Sequence, residues 1–70
     1  MKQGALIYDE PSGRYDIRFG VSDYYGGLHC GTCFDVLIGG KWKPTRIEMG
    51  REWYLVDVCS GDLAGLRVRM

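Results

Sequence analysis

Apolar and polar residues alternate with a period of two along much of this chain, and glycines interrupt the alternation at short intervals. Gly4-Ala5-Leu6-Ile7-Tyr8 is the first apolar run, closed by the polar turn Asp9-Glu10-Pro11-Ser12-Gly13. In Arg14-Tyr15-Asp16-Ile17-Arg18-Phe19, Tyr15, Ile17 and Phe19 point one way and the charged residues the other, as a half-buried strand requires. The two runs predict a hairpin. Gly20 to Gly27 is too rich in glycine for a strand interior and reads as a loop. A third strand is expected over about Cys30–Ile38, with Phe34, Val36 and Ile38 on one face. Gly39-Gly40 supplies the positive φ angles of a type I′ hairpin turn. From Trp42 the alternation resumes: Thr45, Ile47 and Met49 share a face, Arg46 and Glu48 the other, and Pro44 marks an edge or a bulge. Gly50-Arg51 turns into Glu52-Trp53-Tyr54-Leu55-Val56. Ser60 to Gly65 is expected to form one short helical turn, capped by Ser60 or Asp62, before a last strand Leu66-Arg67-Val68-Arg69-Met70.

No stretch of helical period is present. Five to six short antiparallel strands joined by glycine turns, with one helical turn before the last, predict an all-β fold, a small SH3-like barrel. The 70 residues accommodate one domain, 1–70. A chain of this size buries only about 60% of the surface its unfolded form exposes. The 46% apolar content exceeds that of a disordered tail. Nine Lys+Arg balance nine Asp+Glu, whereas proteins that live on nucleic acid usually carry a basic excess. The sequence has no apolar run of membrane-spanning length and no signal-peptide core near Met1, which predicts a cytoplasmic protein without a membrane partner. Three cysteines cannot all pair within one chain, and reduced thiols are expected.

Three segments together resemble a known family: Tyr25-Gly26-Gly27-Leu28-His29-Cys30-Gly31, then Cys33-Phe34-Asp35-Val36, then Gly40-Lys41-Trp42-Lys43-Pro44-Thr45-Arg46-Ile47-Glu48. Trp53-Tyr54-Leu55-Val56 and Leu63-Ala64-Gly65-Leu66-Arg67-Val68-Arg69 complete the pattern. The chain is similar to an uncharacterised small-domain family of Gram-positive bacteria, often met among prophage and conjugative-element genes. The resemblance implies an accessory protein of a mobile element. It carries over no activity and no catalytic or binding residue.

His29-Cys30-Gly31-Thr32-Cys33 is the most suggestive chemical stretch. With Cys59 it offers four soft ligands, His29, Cys30, Cys33 and Cys59, for a zinc-stabilised module. On a strand beginning at Cys30, however, Cys30 points inward and Cys33 outward, and the simpler reading makes the cysteines small core residues. A redox pair needs a helix after the motif, which is absent, and a Cys-His nucleophile needs a third group to orient the base. Asp35 and Glu48 read as cross-strand partners of Arg18 or Arg46 rather than as an acid pair. Neither Gly-Gly pair opens a helix, so neither cradles phosphate. No enzyme and no cofactor are expected.

The aromatics exceed what a small core needs. Tyr24, Tyr25, Trp42 and Trp53, with Arg46, form the expected contact surface for a protein partner, Arg46 orienting the bound segment. Trp42 is expected outward, beside Arg46; Trp53 serves equally well as a cap on an open barrel end. The alternative partner is nucleic acid, gripped by Arg14, Arg18, Arg67 and Arg69 if the terminal strands pair. Outward arginines on terminal strands also guard edges against aggregation, which is the simpler role. Spare aromatics on so small a domain also suit a homo-oligomer.

Overall fold

The period of two is realised as six strands in a computed structural model that describes residues 1–70. They are β1 (Gln3–Asp9), β2 (Arg14–Arg18), β3 (Cys33–Ile38), β4 (Lys41–Met49), β5 (Trp53–Leu55) and β6 (Arg67–Arg69). All neighbours are antiparallel, in the order β2-β1-β6-β3-β4-β5. The inward positions of each strand converge on one core: Leu6, Ile17, Phe34, Val36, Ile47, Leu55 and Val68, joined by Leu28 and Leu63 from the connections.

Local chemistry explains the turns. Gly39 and Gly40 have φ of 57° and 78°, the two positive values a type I′ turn demands, and they join Ile38 to its partner Lys41. In the β1–β2 hairpin the Gly13 N–H reaches the Asp9 carbonyl at 2.9 Å, and the Ser12 hydroxyl donates to the Asp9 carboxylate at 2.6 Å. Pro44 lies on β4 before the ladder to β5 begins at Ile47, so its missing N–H leaves no gap in that ladder. There the flank of β4 is held instead by Val56 and Asp57: Thr45 Oγ1 donates to the Val56 carbonyl at 2.7 Å, and Lys43 Nζ donates to the Asp57 carbonyl.

Two expectations are corrected. The sheet is open, not a closed barrel: its end strands β2 and β5 share no ladder. The gap is bridged by side chains and by the loop between β2 and β3. After Arg18 that loop doubles back, with Phe19 N donating to Asp23 O at 2.7 Å and Tyr25 N to Ile17 O at 2.9 Å. It then delivers Leu28 to the core, with Leu28 N bonded to Tyr15 O at 2.8 Å, and runs on to place Gly31 N on Ile47 O of β4. The helical turn at Ser60–Gly65 is likewise replaced by a β-turn. Leu66 N bonds Leu63 O at 3.2 Å, Gly65 takes φ 90° in the third position, and Asp62 Oδ1 caps the Ala64 N–H at 3.0 Å.

Candidate functional site

Register decides which side chains meet. Tyr8 stands opposite Tyr15 in the β1–β2 ladder, and their rings pack edge to face at 5.1 Å between centroids and 63° between planes. Met49 stands opposite Trp53 in the β4–β5 ladder. The two hairpins lie side by side at the open end of the sheet because the Trp53 indole N–H donates to the Gly13 carbonyl at 2.8 Å. Between them runs a groove of about 450 Å³, lined by Tyr8, Tyr15, Met49 and Trp53 on its apolar walls. Arg51, Glu52 and Asp62 supply its charge. Tyr8 and Met49 are each 47% exposed, which is high for large side chains lining one groove.

The carboxylates act on the groove's interior. The Tyr15 phenol is pushed above the ordinary tyrosine value, first by burial and then by the negative charge of Asp62, with Tyr8 and Glu52 adding in the same direction. A phenol whose proton is held more tightly in the folded state stabilises the fold fully below its unfolded pKa, and that contribution is lost as pH rises through the folded value. The stability difference between wild type and Tyr15→Phe is therefore expected to be flat below about pH 10 and to move against wild type above it. Denaturant melts from pH 8 to 11 read this directly. A difference that does not change across the range would show that Tyr15 feels no such environment.

Comparison places this geometry within a known group. Residues 4–70 match the family described as a domain of unknown function, DUF5348. The chain belongs to that family. A crystal structure of a protein from Ruminococcus gnavus is similar to it with a TM-score of 0.93 and 59% identity, over 97% of this chain and 99% of that one. No curated protein matches. The expected resemblance to an uncharacterised small-domain family thus holds at the level of DUF5348.

The residues singled out from the DUF5348 sequence are dispersed. Tyr24 bridges to Arg18 and Tyr25 bonds Ile17, so both flank the outer edge of β2. Trp42 and Arg46 lie on the outward face of β4, the face away from Thr45 and Ile47. Trp42 does face outward, opposite Leu37, but its ring is covered by the Arg69 guanidinium at 4.4 Å. Arg46 is held by Glu48 on its own strand at 2.9 Å, and that hydrogen bond, with the carboxylate's charge, raises the guanidinium's pKa. Trp53 is on the opposite, core-side face and lines the groove. The five residues therefore do not form one surface.

The four arginines are only partly a ladder. Arg18 and Arg67 both stand opposite Ala5, on either side of β1, so the expected pairing of the terminal strands does bring them to one face. Arg14 donates to the Leu28 carbonyl, Arg18 to Gly20 and Val21, and Arg69 to Asp35 at 3.0 Å. Only Arg67 makes no side-chain hydrogen bond or ion pair. Asp35 takes Arg69 as its partner, rather than Arg18 or Arg46, because β6 inserts between β1 and β3.

All three cysteines are exposed, which corrects their expected place in the core. Cys30 and Gly31 form the corner of a turn closed by Thr32 N to His29 O at 3.0 Å, and β3 starts only at Cys33. Turning the chain there did not assemble the ligand set: His29, Cys30, Cys33 and Cys59 are not brought together, and no group of three metal-ligating side chains is formed. Tyr8, Tyr15 and Met49 were missed as site residues. The one sequence signal for the tyrosine pair was the hairpin itself, which sets them opposite each other once the turn length is known.

Proposed function

We propose that this domain is a non-enzymatic binding module for a protein partner, and that the groove between its two hairpins receives the partner. The observation that carries the reading is the aromatic and thioether lining of that groove, with Tyr8 and Met49 half exposed and Trp53 pinned through its indole N–H. Rigid aromatic anchors in a groove are what a binding hot spot requires. The sequence resemblance implies the setting of a mobile-element accessory protein, which is compatible with such a role. A nucleic-acid role is the weaker alternative, because three of the four candidate arginines are already engaged within the chain.

Selection of peptides from a random displayed library tests the reading. Enriched peptides are expected to lose tenfold or more in affinity, about 1.4 kcal/mol, on Tyr8→Ala, and to be unaffected by Arg67→Ala on the opposite face. Comparable melting of both variants would show that the fold is intact. Binding that survives Tyr8→Ala and fails with Arg67→Ala would move the site to the outer face and overturn the assignment.

A further inference from the structure

Cations already sit on three of the domain's aromatic rings. Lys2 lies 4.6 Å from the Phe19 centroid, Arg69 4.4 Å from Trp42, and Arg14 5.9 Å from Trp53. The Tyr8–Tyr15 pair carries none, although it is the pair that faces the groove. Two carboxylates, Glu52 and Asp62, line the same groove and form no ion pair within the chain. Arg51 shares the lining and is not bonded to either of them.

We infer that the groove captures a lysine or arginine side chain, presented by an extended segment of the protein partner, against the Tyr8–Tyr15 pair, with Asp62 and Glu52 supplying the opposing charge. This rests on the groove being the partner site. The two tyrosine rings pack edge to face on the β1–β2 side of the groove, and a cation is drawn to the negative face of an aromatic ring. The alkyl stem of a lysine or arginine lies on Met49 and the indole, while its charged head remains beside the carboxylates. An open groove of about 450 Å³ suits one side chain with its flanking backbone rather than an enclosed small molecule. The charge complementarity selects a basic segment over an acidic one.

The test is a titration of isotope-labelled protein with acetyl-Ala-Pro-Lys-Pro-Ala-amide and with the same peptide carrying norleucine for lysine, followed by the amide and indole N–H resonances. The lysine peptide is expected to shift the Trp53 indole and Gly13 signals and to bind about fivefold or more tightly than the norleucine peptide. Asp62→Asn keeps an oxygen to cap Ala64 and removes the charge, so it should narrow that preference without lowering the melting temperature. Glu52→Gln should act in the same direction. Equal shifts of the groove signals by both peptides would overturn the cation inference and leave the groove as a partner site. Absence of groove shifts from either peptide at millimolar concentration, or shifts confined to Trp42, would overturn both.

Discussion

Leu28→Ala is expected to destabilise this domain by about 2–5 kcal/mol, the range for removing a fully buried leucine. Leu28 is completely buried although it comes from a glycine-rich loop, and it sits where the open sheet would otherwise expose its core. Its backbone is tied on both sides, N–H to Tyr15 and carbonyl to Arg14, so the loop has little freedom to collapse into the space left behind. A 70-residue domain has a total stability of roughly 3.5–10 kcal/mol, so this one truncation removes a large share of it. Urea denaturation of wild type, Leu28→Ala and Leu28→Met measures the effect. The methionine variant should lose less than about 1.5 kcal/mol. A loss for alanine of a few tenths would mean that the loop is a surface feature and the core is sealed by something else.

The second large effect comes from adding a single methyl group. A Cβ on Gly4 would lie 2.5 Å from the Arg18 carbonyl oxygen, 3.0 Å from its carbon and 2.8 Å from Ile17 Cγ2. Two of these three atoms are backbone, so relief requires β1 and β2 to move apart at the end of their ladder rather than a rotamer change. Gly4→Ala is expected to destabilise by about 1–3 kcal/mol. Elsewhere the same substitution commonly stabilises, by about 0.4–1 kcal/mol, because it restricts the unfolded chain. Gly61→Ala is the matched control: its Cβ meets nothing within 4 Å, and its φ is not in the left-handed region. Thermal melts of the two variants should therefore move in opposite directions. A neutral Gly4→Ala would show that the strands have more room at that crossing than the geometry gives.

The candidate site illustrates why surface chemistry is harder to read than strands. Along the sequence neither Trp42, which opens an alternating segment, nor Trp53, which opens an apolar run, declares its face. Their faces are opposite because β4 pairs Trp42 with Leu37 and Met49 with Trp53, which sends one to the outer face and the other to the core side. Once outward, Trp42 acquires Arg69 from a strand 27 residues later, which no local pattern announces. The tyrosine pair of the groove belongs to the first hairpin, yet its groove exists only because Trp53 reaches Gly13 across 40 residues. The cysteines show the same limit in reverse: their spacing suggested a metal site, and the turn at Cys30-Gly31 left all three exposed and unassembled.

What the chain determined by itself are the features whose cause is local. The alternation of Tyr15, Ile17, Phe34, Val36, Thr45 and Ile47 set the strands and their inner face, because successive side chains on a strand point to opposite sides. Gly39 and Gly40 set a hairpin, because only two positive φ angles make that turn and glycine takes them without strain. The tertiary structure alone decided the strand order, the open edge, the descent of Leu28 into the core and the meeting of Tyr8, Tyr15, Met49 and Trp53. Each of these is a contact between segments far apart in sequence, chosen by which arrangement buries the most apolar surface while pairing the backbone. Local preference carries no information about that choice, and the binding groove is made of it.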